Sequence, residues 1–189
     1  MTKILGISGS LRRASYNSAL LRAATRLMPP EATLEVGSIR GIPLFDGDVE
    51  AQGIPAAVSQ LKEAIIAADG VLLVTPEYNN SIPGVFKNAI DWLSRPPADI
   101  KRVFVAKPFA VIGASPGGFG TTLSQTAWLP VLRTLGTHAW FGGRLMVARA
   151  AGVFDEAGAL KDATLEEQLK QFLAGYVSFL RASRPAAPI

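Results

Sequence analysis

Three polar loops carry the side chains in this sequence that are best suited to binding chemistry. The first, Gly9–Ser18, combines serine, asparagine and arginine side chains and leads into a predicted helix. Helix N-termini attract anions through their free N–H groups and their dipole, and Arg12 can grip phosphate oxygens with paired hydrogen bonds. The loop matches neither G-x-x-x-x-G-K-[ST] nor G-x-G-x-x-G, so it suits a single phosphomonoester. The alternative is that Ser15 merely caps the helix and Arg12 is solvated.

The second and third loops would bind a ligand through backbone N–H groups and by letting it come close to the backbone, rather than through charged side chains. Two prolines make Thr75–Gly84 stiff, and its amides and aromatic ring are suited to lining the edge of a planar heteroaromatic ring. Its one carboxylate, Glu77, either contacts a ligand or serves as a loop cap or ion-pair partner. Tyr78 is either part of the site or an ordinary half-buried aromatic residue. In Ala114–Thr121, three glycines within four residues let the backbone approach a ligand, although a plain loop before a helix is also consistent.

Side chains for other kinds of catalysis are scarce. The chain has no cysteine, which excludes disulfides, thiolate metal sites and cysteine nucleophiles. The single histidine, His138, is expected at the start of a strand and away from the three loops. No H-x-x-x-H pair or carboxylate cluster suggests a metal, and Gly6–Gly9 is not a G-x-S-x-G nucleophile elbow. We therefore expect neither a metal nor a catalytic side chain.

The elements that must position these loops alternate regularly between strand and helix. Strands are predicted at Lys3–Ser8, Leu34–Ile39, Gly70–Thr75, Pro108–Ala114 and Ala139–Val147, and helices at Ser15–Met28, Ile54–Ala68, Pro83–Leu93, Thr121–Leu135 and Leu165–Arg181. Such alternation predicts an α/β fold with a parallel sheet between two helical layers. Ligands of these sheets bind beyond the carboxyl ends of the strands, where all three polar loops lie. Pro130 is expected to kink or interrupt the fourth helix.

Composition and charge limit the class of protein. Of 189 residues, 49% are hydrophobic and 18% are charged, against a usual charged share of about 25%. The low share of charged residues would be explained by strands buried on both faces of the sheet, or by a surface that another subunit covers. We expect one domain over residues 1–183 and a loose tail over residues 184–189. The net charge of +4, spread along the chain, favours a small anionic ligand over nucleic acid. Without a membrane-spanning run or signal peptide, we expect a cytoplasmic protein and no membrane partner.

Three segments closely resemble the NADPH-dependent FMN reductase family, which includes flavodoxin-like quinone, chromate and azo-dye reductases. They are Gly9–Leu21 (GSLRRASYNSALL), Pro76–Trp92 (PEYNNSIPGVFKNAIDW) and Ala114–Thr121 (ASPGGFGT). The resemblance implies a flavodoxin-like three-layer sandwich, five parallel strands in the order 2-1-3-4-5, and noncovalent FMN. It assigns the FMN phosphate to Ser10, Arg12, Ser15, Asn17 and Ser18, one side of the isoalloxazine ring to Pro76, Glu77, Tyr78 and Asn79, and the other side to Ser115, Gly117 and Gly118.

The function that the resemblance implies is hydride transfer from NADPH or NADH to flavin N5, and from there to a small acceptor. Quinones, azo compounds, chromate and free flavin are the candidate acceptors. Because donor and acceptor would use the same pocket in turn, we expect ping-pong kinetics. The cofactor carries the electrons and the protein supplies binding and electrostatics.

A further expectation concerns the oligomeric state. The family typically forms homodimers or homotetramers. The helix after Pro83, with Phe86, Ile90, Trp92 and Leu93, either contributes to a subunit interface or faces the core.

The competing functions are a flavodoxin-type electron carrier and a flavin-based redox sensor without its own turnover. Carriers of that type tend to be strongly acidic, so the net charge of +4 disfavours that alternative.

Overall fold

The computed structural model describes residues 1–183 and centres on one parallel sheet; the predicted tail, residues 184–189, lies outside the described residues. The strands are β1 (Thr2–Ser8), β2 (Ala32–Gly37), β3 (Gly70–Val74), β4 (Pro108–Ala114), β5 (His138–Ala139) and β6 (Met146–Val147). The sheet has the order β2-β1-β3-β4-β5, and β6 also pairs with β4. Every pairing is parallel. The predicted strand order is confirmed.

Helices cover both faces of this sheet. They are α1 (Tyr16–Arg26), α2 (Gly47–Ala51), α3 (Ala56–Ala67), α4 (Gly84–Leu93), α5 (Ile100–Val103), α6 (Thr122–Thr134) and α7 (Ala163–Ala182). One apolar core contains side chains of α1 and α7, and a second contains side chains of α3, α4, α5 and α6. The predicted three-layer sandwich is therefore confirmed.

The central strand β3 shows why the sequence has an uninterrupted apolar run there. All five of its residues are buried. Leu72 and Val74 belong to the core beneath α1 and α7, whereas Val71 and Leu73 belong to the opposite core. Because successive side chains of a strand point to opposite faces, a strand covered on both sides needs apolar residues at every position.

The predicted fifth strand, Ala139–Val147, is wrong in extent. Only its two ends pair with β4: β5 pairs at Pro108 and Phe109, and β6 pairs at Gly113 and Ala114. Trp140 still donates its N–H to the carbonyl oxygen of Phe109 at 2.7 Å, and residues 141–144 then leave the sheet. The indole of Trp140 packs edge-on against Phe172 of α7, with ring centroids 4.9 Å apart. The packing of this indole overrides the strand propensity around it.

Pro130 does not interrupt α6, so of the two predicted effects the interruption is wrong and the kink stays a prediction. The helix runs from Thr122 to Thr134 with the proline inside it. Proline removes the hydrogen bond to the carbonyl group four residues earlier, that of Thr126. Both residues are exposed, so water can satisfy this carbonyl group.

Helix α4 faces the core. Phe86, Ile90, Trp92 and Leu93 are at most 2% exposed and lie in the core with α3 and α6. The core-facing alternative is correct for these side chains, and they are not available to a second subunit. A homodimer or homotetramer stays a prediction.

Two loops that the sequence leaves irregular contain helices. Helix α2 lies within residues 40–53, and a 3₁₀ turn (Pro97–Asp99) and α5 lie within residues 94–107. The second segment is fastened by Lys62, which is almost fully buried and contacts Asp99 at 2.8 Å and the carbonyl oxygen of Arg95. The hydrogen bond from Lys62 holds the pKa of the Asp99 carboxyl below its usual value. None of the described helices has the length and apolar character needed to cross a bilayer.

Candidate functional site

The three polar loops meet at the carboxyl edge of the sheet. They follow β1, β3 and β4, which lie side by side, and a small cleft of about 60 Å³ opens between them. The cleft is lined by Ser10, Arg12, Ser15, Tyr16, Asn17, Pro76, Glu77, Tyr78, Ala114, Ser115 and Pro116. The structure thus brings together eight of the twelve predicted site residues. Ser18, Asn79, Gly117 and Gly118 are outside this lining. His138 pairs with Pro108 at the opposite edge of the sheet.

The N-terminus of α1 forms the most cationic part of the cleft. Ser15 is the N-cap residue, and its Oγ accepts the N–H of Ser18 at 3.2 Å. The amides of Tyr16 and Asn17, at the first two positions of the helix, have no intrahelical acceptor. Arg12 is exposed, and its guanidinium donates to the carbonyl oxygen of Ala14 at 3.2 Å. Capping by Ser15 and an anion site are therefore compatible, because the cap satisfies only one of the free N–H groups.

The side chain of Asn17 has a structural role that the sequence does not reveal. It is 3% exposed, its Nδ2 donates to the carbonyl oxygen of Ala114 at 2.8 Å, and its Oδ1 accepts the N–H of Ala114 at 2.9 Å. This pair of bonds ties α1 to the end of β4. The second N–H of Nδ2 and the backbone N–H of Asn17 have no partner among the described residues, so contact with an FMN phosphate stays a prediction.

The hydroxyl group of Ser18 has a hydrogen-bond partner on β1. This group lies 3.1 Å from the hydroxyl oxygen of Ser8, and the two share a hydrogen bond. Ser18 lines a different cavity, which also borders the Gly9–Ser18 loop. Because Ser18 is not among the residues that line the cleft, contact of its hydroxyl group with an FMN phosphate stays a prediction.

The loop after β3 is closed by a two-residue turn. Tyr78 and Ser81 exchange backbone hydrogen bonds of 3.1 and 3.0 Å. Asn79 and Asn80 between them have φ angles of +49° and +62°, a conformation that asparagine tolerates better than other non-glycine residues. Among the described residues, their backbone N–H groups have no acceptor. The turn therefore offers two fixed donors at the rim of the cleft.

Glu77 connects this loop to α6. Its Oε2 accepts the N–H groups of Leu123 and Ser124, at 2.8 and 2.9 Å, in the first turn of that helix. A carboxylate at a helix N-terminus is favoured by hydrogen bonding and by the helix dipole. Of the two sequence interpretations, the structure shows the capping role directly. The residue also lines the cleft, so contact with a ligand stays a prediction.

We expect Glu77→Ala to lower the free energy of unfolding by about 1–2 kcal/mol, because two N–H groups of α6 lose their shared acceptor. Glu77→Gln keeps an acceptor oxygen without the charge and should recover part of this loss. Urea unfolding of the FMN-free protein measures both variants. Equal midpoints for the alanine variant and the unsubstituted protein would contradict the capping role.

The loop after β4 is held by its own backbone. Ser115 Oγ accepts the N–H of Gly117 at 3.1 Å, and the Gly117 carbonyl oxygen accepts the N–H of Arg149 at 2.9 Å. A Cβ atom at Gly118 would meet no protein atom within 4 Å, and one at Gly117 would meet only Ser115 Oγ, at 3.5 Å. No contact within the protein requires glycine at these two positions, which leaves open space on this side of the cleft.

Tyr16, Ala114 and Pro116 line the cleft but are absent from the predicted set. Tyr16 stacks on Phe154 with ring centroids 6.1 Å apart and forms an aromatic wall. Its place directly after the N-cap was visible in the sequence. The side to which its ring turns depends on Phe154, which is far away along the chain.

The donor set fits FMN. A phosphate would meet Arg12, Ser10 and the free N–H groups of α1, and a flat ring would meet the stiff loop after β3 and the open glycine side. The cleft between the loops is small, about 60 Å³. A group as large as FMN must therefore extend over the exposed rim, where Tyr78 is 46% exposed. Among residues 1–183 there is no group of three or more side chains arranged to hold a metal ion.

Comparison with known proteins gives one consistent family. A model of the NADPH-dependent FMN reductase family matches residues 2–152. The chain is 46% identical over 182 residues to an NAD(P)H-dependent FMN reductase of Pseudomonas aeruginosa, covering 96% of this chain and 97% of the relative. It is 35% identical to a 2-hydroxy-1,4-benzoquinone reductase of a Burkholderia species, with 96% and 98% covered.

A solved structure agrees with the sequence relatives. The flavoenzyme NAD(P)H:(acceptor) oxidoreductase FerB from Paracoccus denitrificans superimposes with a TM-score of 0.86 at 31% identity, covering 97% of this chain and 99% of the other. The family match spans most of the chain and includes all three segments on which the resemblance rests. The chain therefore belongs to the NADPH-dependent FMN reductase family.

Proposed function

We propose that this FMN-dependent NAD(P)H oxidoreductase reduces quinones and similar small, flat acceptors. The observation that carries the proposal is the cleft itself, which joins a cationic helix N-terminus to a rim of free N–H groups and exposed aromatic surface. The quinone-reducing relative in Burkholderia supports the choice of acceptor. Tyr78, which lines the cleft, and Phe119, which is 86% exposed in the loop after β4, both offer flat apolar surface.

The residues that would hold FMN follow from the geometry. Arg12, Ser10 and the backbone N–H groups of Tyr16 and Asn17 would bind its phosphate, because together they supply charge and four directions of hydrogen bonding. The loop from Pro76 to Asn79 would line the ring on one side, and Ser115 to Gly118 on the other. When bound, FMN supplies hydride acceptance at N5 and the return of that hydride to an acceptor.

The protein's own groups contribute electrostatics rather than proton transfer. The N–H groups of Asn79 and Asn80 are fixed donors, which stabilise negative charge without reorganising at the moment of reaction. Glu77 keeps its loop against α6 through the two N–H bonds described above. This anchoring holds the donors in place relative to the cleft.

Spectroscopy and steady-state kinetics test the function together. We expect the purified protein to show flavin absorbance bands, or to gain them when FMN is added. It should then oxidise NADPH or NADH with benzoquinone, without any partner protein. Initial-rate plots at several quinone concentrations should give parallel lines, as expected when donor and acceptor bind in turn. Intersecting lines would contradict the ping-pong order, and a colourless protein without affinity for FMN would contradict the function.

A further inference from the structure

A second cavity lies on the flank of the Gly9–Ser18 loop, next to the end of β2. We call it the arginine cavity; its volume is about 360 Å³. It is lined by Ser8, Ser10, Leu11, Arg12, Arg13, Ser18, Leu21, Arg22, Val36, Gly37, Ser38, Ile39 and Arg40. It shares Ser10 and Arg12 with the cleft, so both spaces border this loop.

The arginines that line this cavity have no carboxylate partner within residues 1–183. Among the described residues, Arg12, Arg13 and Arg40 form no ion pair, whereas Arg95, Arg102 and Arg181 each have a carboxylate partner. Arg40 donates one hydrogen bond, to the carbonyl oxygen of Leu11 at 2.9 Å, and its remaining N–H groups are free to bind a ligand. A cavity lined by charge of one sign concentrates counter-ions, so it is suited to an anion.

Apolar surface beside the arginines narrows the class of anion. Leu11 is 40% exposed and Val36 is 61% exposed, and both line the same cavity. Inorganic phosphate would use only the guanidinium groups. A nucleotide would use both kinds of surface, because its base is flat and largely apolar while its phosphate accepts paired hydrogen bonds from arginine.

We propose that the arginine cavity binds the adenosine 2′-phosphate end of NADPH, with Arg13 and Arg40 on the 2′-phosphate and Leu11 and Val36 beside the adenosine. This inference rests on the proposed function, because it extends the donor from the cleft into the neighbouring cavity. The 2′-phosphate is the one group that NADPH has and NADH lacks. The arginine cavity would therefore select NADPH over NADH.

The test compares the two donors in the FMN-loaded enzyme with benzoquinone as acceptor. Arg13→Ala removes a side chain that has no hydrogen bond to the described residues, and Arg40→Gln keeps a donor near the carbonyl oxygen of Leu11 while removing the charge. We expect each variant to lower kcat/KM for NADPH roughly tenfold and to change that for NADH less than twofold. Arg26→Ala, at the far end of α1, is the matched control and should change neither.

Competitive inhibition by adenosine phosphates tests the same inference independently. Adenosine 2′,5′-bisphosphate should compete with NADPH more strongly than 5′-AMP does, and both variants should remove that difference. Equal losses for NADPH and NADH, or a loss of FMN affinity in the variants, would overturn the inference and place these arginines in the FMN site. A protein that binds no FMN and oxidises neither donor would instead contradict the proposed function, so the two failures are distinguishable.

Discussion

Arg12→Ala should weaken FMN binding roughly 10- to 100-fold while changing the free energy of unfolding by less than about 0.5 kcal/mol. The guanidinium group is exposed, and its one hydrogen bond within the described structure goes to the carbonyl oxygen of Ala14, two residues away. Folding therefore gains little from this side chain. A phosphate at the N-terminus of α1 would instead lose a charge-assisted contact that a guanidinium group can make through two parallel hydrogen bonds.

Titration of the FMN-free protein with FMN, followed by fluorescence quenching, measures this effect. Arg12→Lys separates charge from fork geometry, because an ammonium group keeps the charge but not the paired donors, and it should restore only part of the affinity. Arg26→Ala removes an exposed arginine from the last turn of the same helix and controls for a general change in net charge. An unchanged dissociation constant for Arg12→Ala would show that the phosphate binds elsewhere.

The parts of the fold that could be predicted are those whose pattern is local. The apolar run Gly70–Val74 is enough to indicate a strand buried on both faces, and the alternation of elements is enough to indicate a parallel sheet. The predictions that are wrong concern segments whose conformation depends on contacts with residues far away along the chain. The strand predicted at Ala139–Val147 is interrupted after Trp140, whose indole packs on Phe172 of α7, and nothing in the sequence links these two residues.

In the candidate site, too, some features could be predicted from the sequence and others could not. That the three loops meet at one edge follows from topology, since the carboxyl ends of neighbouring parallel strands lie together. The roles of single side chains depend on contacts that sequence spacing does not encode. Glu77 caps a helix that begins 45 residues later, at Thr122, and Ser18 shares its hydrogen bond with Ser8 on β1. Identifying a polar loop was possible from the sequence, whereas identifying which of its atoms are free was not.

Asn17→Ala should produce the opposite result to Arg12→Ala, a large loss of stability. The substitution leaves the N–H and the carbonyl oxygen of Ala114 without their partner in a position that is 1% exposed. Each unsatisfied buried group costs about 1–3 kcal/mol, so we expect the free energy of unfolding to fall by about 2–4 kcal/mol. For a protein of this size, that corresponds to a decrease in Tm of roughly 5–15 °C.

Differential scanning fluorimetry of the FMN-free protein and urea unfolding measure this loss directly. The neighbouring Ser18→Ala is the matched control, since it removes one hydroxyl contact from the same helical turn and should cost about 1 kcal/mol or less. If Asn17 acted instead on the FMN phosphate through its amide, its alanine variant would lose FMN affinity at unchanged Tm, as Arg12→Ala does. The two variants together therefore separate the residue that positions the loops from the residue that binds the phosphate, although both lie in one short motif and both face one cleft.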